Sequence, residues 1–126
     1  VEHLEPGYLI RLLQLCHQKL QYGFYLVAET VNPLSFFSFA NFYIDLTHVR
    51  PVHPETLRFL FDNAGFRELK VEFSAQVSDE LRMKKLGFSD NMDKKMIDLI
   101  TLNNQNIDIL NNMLFGAQDF SMIGKK

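Results

Sequence analysis

The sequence predicts an α/β domain, in which helices pack against a sheet. Three observations support this class. Helix-like and strand-like segments alternate along the chain, the run from Phe24 to Ala28 is apolar throughout, and a helix pattern from Pro54 to Gly65 leads directly into a strand. Alternation of this kind is typical of helices layered on a sheet. The 126 residues are enough for one domain with a modest core.

Composition and charge argue against several classes of protein. The chain is 47% hydrophobic with a net charge of −2, which fits a globular fold and not a domain that binds nucleic acid by neutralising phosphates. Its single cysteine, Cys16, suits a reducing, cytoplasmic compartment, and we expect it to be a buried small residue. No apolar run approaches the length of a membrane span. We therefore expect no nucleic-acid partner and no membrane span.

The first part of the chain predicts a helix, a strand and a structured loop. The helix begins at Pro6, where proline is favoured, and ends near Gly23. The run from Phe24 to Ala28 is apolar on both faces, so we expect a strand covered on both sides, as in a mostly parallel sheet. The segment Glu29–Val52 has weak periodicity and many aromatic residues, which predicts a packed functional loop with a short helix at about residues 34–42.

The next helix carries the clearest start and stop signals. His53 stands at the N-cap position before Pro54, and Gly65 ends the helix because glycine enters the left-handed conformation without strain. Phe66 is expected to fold back onto the last helical turn. The strand that follows is predicted to present one apolar face, formed by Leu69, Val71, Phe73 and Ala75.

A long helix and a short strand complete the chain. The helix is predicted to be capped by Asp90 and to continue to about Phe115, with an apolar stripe that runs from Met92 to Met113. We interpret this stripe as core or as a seam with a helix of a second subunit. Gly116 ends the helix, and the segment Asp119–Gly124 is the last predicted strand.

Five segments, in order along the chain, resemble class I S-adenosylmethionine-dependent methyltransferases. Four match general features of that family, and the fifth, Asn41–Pro54, is similar to methyltransferases of O-antigen and other surface-glycan gene clusters. The four are Val1–Pro6, Gly23–Glu29, Asn63–Phe66 and Phe115–Phe120. The resemblance implies the C-terminal, acceptor-side half of a Rossmann-like sheet. Its last three strands would lie in the order fifth, seventh, sixth, with the seventh antiparallel, beside a long C-terminal helix.

The chain differs from the family in the cofactor-binding motif. The family binds its cofactor with a Gly-rich turn, but no two of the six glycines here are close enough in sequence to form one. The opening Val-Glu-His-Leu also suggests a fragment. We therefore expect S-adenosylmethionine to bind the full-length parent, no cofactor to bind this fragment, and the fragment to be inactive alone. Because the apolar strand Phe24–Ala28 would expose an edge, we expect a homodimer or a domain swap. The alternative function is a non-enzymatic oligomerisation or substrate-docking module.

The resemblance also implies roles for individual residues. It places Glu2 and His3 at the carboxyl end of the fourth strand, where Glu2 would contact the cofactor and His3 would be the catalytic base for a glycan or small-molecule acceptor. The residues expected to bind this acceptor are Asn32, Tyr43, Asp45, His48 and Arg50. No metal ligand is expected in this reading. An alternative joins Glu2, His3 and His48 as metal ligands, similar to the Mg-dependent terminal 2′-O-methylases of small RNA.

Overall fold

Helices and strands follow one another in the predicted order. The computed structural model describes residues 1–74 and 76–126, so Ala75, predicted to face the core, lies outside the described residues. Within them the elements are α1 (Pro6–Lys19), β1 (Tyr25–Val31), α2 (Phe36–Phe42), α3 (Pro54–Ala64), β2 (Arg67–Phe73), α4 (Lys94–Leu114) and β3 (Asp119–Lys125). The α/β class is confirmed. None of these helices is both long and apolar enough to cross a lipid bilayer.

The sheet has the predicted topology. β3 lies between β1 and β2 and pairs antiparallel with both. Met122 of β3 is opposite Ala28 on one side and Val71 on the other. This order confirms the expected arrangement in which the last strand of the chain is central and antiparallel.

β1 differs from its prediction in how it is covered. Its side chains alternate, so that Thr30 is 3% exposed while Val27 is 58% exposed. The expectation of a strand in a mostly parallel sheet, covered on both faces, is therefore wrong for the described residues. Side chains of α1 and α3 pack together with those of β3 in one hydrophobic core. These two helices therefore lie on the same face of the sheet, and the opposite face is more exposed.

The core lies between that covered face and the two helices. Its central side chains, all at most 1% exposed, are Leu57, Phe61, Phe66, Phe120 and Met122. Complete burial of one such side chain stabilises the fold by about 1.5–3 kcal/mol. The predicted ends of α3 are confirmed, since the His53 ring accepts a hydrogen bond from the Glu55 N–H and Gly65 has a φ of 107°. Cys16 is partly buried against the same core.

The long helix α4 begins later and is more exposed than predicted. Its N-cap is Asp93, whose side chain accepts a hydrogen bond from the Met96 N–H, so the expected cap at Asp90 is wrong. Met92 therefore precedes the helix. Ile100 is the buried apolar residue of the predicted stripe. The interpretation of the stripe as core is wrong within the described chain, and its interpretation as a subunit seam stays a prediction.

Asparagine side chains join α4 to the segment before it. The Asn111 amide donates to the Met83 carbonyl and its oxygen accepts from the Met83 N–H, both at 2.9 Å. Asn104 makes the same pair of hydrogen bonds with the backbone of Leu86, also at 2.9 Å. In each pair the side-chain amide both accepts from and donates to the backbone of one residue, as the backbone of a neighbouring strand would. Together with the Lys85–Asp108 ion pair at 2.6 Å, these hydrogen bonds hold the segment 83–86 along the helix.

Candidate functional site

A turn at the start of the chain lies beside the end of β1. The Leu4 N–H donates to the Val1 carbonyl, which closes the turn before α1 begins. The hydroxyl of Thr30, near the carboxyl end of β1, donates to Oε2 of Glu2 at 2.8 Å. Glu2 and His3 are therefore positioned at this end of the sheet.

The loop after α2 brings a second group of polar side chains to the same place. Its backbone is tied to the first turn, because the Val49 N–H donates to the Glu2 carbonyl at 2.8 Å. Asp45 accepts hydrogen bonds from both the N–H and the hydroxyl of Thr47, each at 2.8 Å. This is a local turn of the kind that Asp favours. It fixes the loop in the conformation that presents Thr47 and His48.

Each of the two histidines in this cluster is held through its Nδ1 atom. His48 Nδ1 lies 2.6 Å from the Phe42 carbonyl, which can only accept, so Nδ1 carries the proton. His3 Nδ1 lies 2.9 Å from the Thr47 hydroxyl oxygen. Because Thr47 gives its single proton to Asp45, it must accept from His3. In their neutral forms both rings therefore keep an unprotonated Nε2.

The free ends of these side chains converge. Oε1 of Glu2 lies 3.8 Å from Nε2 of His3 and 3.8 Å from Nε2 of His48, and one ligand atom from each residue lies within 4.8 Å of the others. The side chains of Glu2 and His48 are 13% and 10% exposed, whereas that of His3 is 45% exposed. The cluster is thus closed on the protein side and open at His3.

The carboxylates of the cluster are stabilised in their charged form. Burial raises the pKa of Glu2, but hydrogen bonds from the Val1 α-amino group, the backbone and Thr30 outweigh it, so the pKa is lowered. The hydrogen bonds from Thr47 lower the pKa of Asp45. Both groups carry a negative charge at neutral pH. A cation, or a donor group of a substrate, would find two carboxylates beside two imidazole nitrogens.

The other predicted site residues lie around this cluster or apart from it. Tyr43 is 66% exposed and contacts Phe39 and Phe42 edge-on. Asn32 is buried, and its amide donates to the Ala117 carbonyl while its oxygen accepts from the Leu34 N–H. Arg50 lines a small apolar cleft between α1 and α3. The structure therefore brings together the side chains of Glu2, His3, Asp45 and His48. Arg50 meets this group through its backbone, since its N–H donates to the Glu2 carbonyl at 3.3 Å. The Asn32 side chain bonds instead to the backbone of Ala117 and Leu34.

Two threonines in the cluster were not identified from the sequence. Thr30 orients Glu2, and Thr47 orients His3. The spacing of Asp45 and Thr47 is a recognisable turn signal and could have identified the second. Nothing in the local sequence around Thr30 indicates that its hydroxyl meets a residue at the start of the chain.

The architecture, with its central antiparallel last strand, is similar to that of a solved methyltransferase. A search of solved structures finds the crystal structure of a SAM dependent methyltransferase from Archaeoglobus fulgidus, with a TM-score of 0.89 and 44% sequence identity. The match covers 99% of this chain and 55% of that one, so the chain spans about half the length of the enzyme that it resembles. No protein-family model and no curated protein matches the chain.

Proposed function

We propose that this chain is the acceptor-side, C-terminal part of an S-adenosylmethionine-dependent methyltransferase that acts on a glycan or another small acceptor. The observation that supports the proposal best is the similarity to the Archaeoglobus fulgidus methyltransferase over 99% of the chain. The convergence of Glu2 and His3 with residues of the 45–48 loop at one end of the sheet adds to it. The acceptor class rests on the resemblance of the segment Asn41–Pro54 to surface-glycan methyltransferases.

The described residues do not by themselves fit the cofactor. Gly65 caps α3 with a φ of 107°, and Gly124 lies under the side chains of Phe61 and Phe66. The remaining glycines are Gly7, Gly23, Gly87 and Gly116, and none of the six lies in a Gly-rich turn that leads from a strand into a helix. We propose that Glu2 reaches the cofactor only within the complete enzyme. We derive no step in which this chain alone holds S-adenosylmethionine.

His3 is the proposed catalytic base. Its Nδ1 is anchored by Thr47, which leaves Nε2 as its second ring nitrogen, and the side chain as a whole is 45% exposed. This nitrogen can accept the proton of an acceptor hydroxyl while the hydroxyl oxygen becomes the nucleophile. Asp45 and His48 would orient the acceptor, and Tyr43 would offer an aromatic surface to a sugar ring. We also propose that Asn32 and Arg50 contact the acceptor at the edge of this site.

The test is methyl transfer from labelled S-adenosylmethionine by the full-length gene product, with glycan and small-molecule acceptors. General base catalysis contributes about 100- to 10,000-fold, so His3→Ala should lower kcat by that order. His53→Asn is the matched control, because asparagine keeps the N-cap of α3 and the position lies outside the cluster. Unchanged activity in His3→Ala would remove His3 from the mechanism. Absence of transfer to every acceptor would contradict the function.

A second candidate function is a non-enzymatic oligomerisation or substrate-docking module. Three features favour it. Within the described residues β1 pairs along one edge, with β3; Val27 is 58% exposed; and α4 lines an apolar groove of about 500 Å³ with Leu86 and Met92. A free edge of this kind invites pairing with another strand. We therefore propose a homodimer or a domain swap for the 126-residue chain, to be measured by light scattering over a range of concentrations. A monomer at every concentration would refute it.

A further inference from the structure

We propose that Glu2, His3 and His48 bind a divalent metal ion such as Zn²⁺, Co²⁺ or Fe²⁺. From the sequence we expect cofactor-binding, catalytic and acceptor-binding roles for these three residues, and metal ligation by the same three is kept as an alternative based on a resemblance. The inference instead comes from the arrangement of protons in the cluster. It does not require the proposed methyltransferase function to be correct.

When both histidines are neutral, three electron-pair donors lie close together without a proton between them. The Phe42 carbonyl holds the proton of His48 on Nδ1, and the Thr47 hydroxyl, which donates to Asp45, holds that of His3 on Nδ1. Both Nε2 atoms then carry a lone pair and lie near Oε1 of Glu2. The distances of 3.8 Å from Oε1 to each Nε2 are too long for hydrogen bonds. A positive charge at this place, from a bound cation or from protonation of a ring, would stabilise the arrangement.

The spacing suits a metal ion. With metal–ligand bonds of about 2.0–2.1 Å in tetrahedral geometry, two ligand atoms are about 3.4 Å apart. The two Glu2–His separations of 3.8 Å are within a few tenths of an ångström of this value, and all three ligand atoms lie within 4.8 Å of one another.

The surroundings of the ligands also match those of metal sites. In such sites the second ring nitrogen of a ligating histidine donates to a carbonyl, a carboxylate or a similar acceptor, which fixes the ring. Here the Phe42 carbonyl and the Thr47 hydroxyl occupy those positions, and Thr30 fixes the other oxygen of Glu2. Asp45 Oδ2, 3.8 Å from Nε2 of His48, adds negative charge at the rim.

The donor set determines which ion is expected. Two imidazole nitrogens and one carboxylate oxygen suit Zn²⁺, Co²⁺ or Fe²⁺, whereas Mg²⁺ prefers oxygen ligands alone. We therefore expect affinity to fall in the order Zn²⁺, Co²⁺, Mn²⁺ and then Mg²⁺. Three protein ligands and an exposed side at His3 leave a coordination position open for water or an acceptor group. In the metal-bound protein His3 is a ligand, so its role as a base would pass to another group.

The experiment is calorimetric titration of ZnCl₂ into the chelator-treated 126-residue chain. We expect one ion per chain. His3→Ala and Glu2→Gln should each weaken binding at least 100-fold, and Thr47→Val, which removes the anchor of one ring, should weaken it about 10- to 100-fold. Glu2→Gln keeps the size of the side chain, and circular dichroism checks that each variant is folded. His53→Asn is the control and should bind Zn²⁺ as tightly as the unsubstituted 126-residue chain does.

The proposal would be overturned if Zn²⁺ did not bind the unsubstituted 126-residue chain. It would also be overturned if Zn²⁺ bound this chain and the Glu2→Gln variant equally well. Mg²⁺ binding more tightly than Zn²⁺ would overturn the ligand assignment. Because no methyl donor is present, these outcomes are independent of the methyl-transfer assay. Failure of the metal site and failure of the methyltransferase function can thus be distinguished.

Discussion

The covered face of the sheet and the long helix α4 are held in place by different physical means. Between the sheet, α1 and α3, side chains such as Leu57 and Phe61 are fully buried. On α4, apolar side chains such as Leu99 and Met113 are about 60% exposed. Its contacts with the preceding segment include amide hydrogen bonds from Asn104 and Asn111 and the Lys85–Asp108 ion pair. The comparison teaches that apolar burial carries the sheet, whereas directional hydrogen bonds position α4.

The largest effect is expected in the core. Phe61→Ala removes a fully buried ring that packs on Phe66 with centroids 5.2 Å apart. We expect a loss of about 3–5 kcal/mol in the free energy of unfolding, measured by urea denaturation. Phe59→Ala, in the same helix at a position 65% exposed, should change it by less than about 0.5 kcal/mol. Similar losses in both variants would show that the core is not where the stability resides.

The next effect concerns the amide pairing of α4. Asn111→Ala leaves the Met83 N–H and carbonyl without their partner on the helix, which should cost about 1–3 kcal/mol. Amide hydrogen exchange at Met83 should become faster, while exchange in β3 should change less. Asn112→Ala, at the neighbouring exposed position, is the control. If exchange at Met83 is the same in both variants, the hydrogen bonds do not hold this segment.

A smaller effect is expected at Asp119, where the chain passes from α4 into the sheet. Burial raises the pKa of Asp119, and the charges of Glu29 and Glu2 raise it further. The folded protein then holds this proton more tightly than the unfolded chain does. The stability contribution of Asp119 therefore falls as pH rises from 3.8 through the raised folded-state value.

Asp119→Asn should accordingly raise the denaturation midpoint at neutral pH. The gain should shrink as pH falls below 3.8, where both states are protonated. Denaturant midpoints at several pH values measure it. A gain that is the same at every pH would mean that the carboxyl charge is not the cause.

The smallest effect on unfolding is expected on the exposed side of α4. Leu102→Ser, at a position 57% exposed, should change the free energy of unfolding by less than about 0.5 kcal/mol. The buried neighbour Ile100→Val should cost about 0.5–1.5 kcal/mol. If α4 is a subunit seam, Leu102→Ser should shift the light-scattering mass toward the monomer. A large loss of stability in a monomeric Leu102→Ser variant would place this side chain in the core.

The two regions also differ in how well the sequence predicts them. The ends of α3 are predicted correctly because His53, Pro54 and Gly65 act on their own backbone. The cap of α4 is misplaced because Asp90 and Asp93 are both plausible caps, and the choice depends on which backbone N–H each side chain reaches. The amide pairs of α4 depend on which backbone lies opposite, which no local pattern indicates.

The candidate site shows the same limit. Glu2 and His3 were identified through a family resemblance, but their meeting with His48 depends on a loop that is distant in sequence. The direction of each hydrogen bond, such as the proton that Thr47 gives to Asp45, follows only from three-dimensional partners. Arg50 was expected to bind the acceptor together with His48, yet it lines a cleft between α1 and α3.

The central claim is that these residues form the acceptor-side part of a methyltransferase. Its cofactor-binding motif is proposed to lie in another segment of the full-length polypeptide. The most direct test of this claim is equilibrium titration of S-adenosylmethionine, in parallel, into the full-length gene product and into the 126-residue chain. We predict saturable binding to the full-length product and none to the 126-residue chain. Micromolar binding to the 126-residue chain, or binding to neither, would contradict the claim.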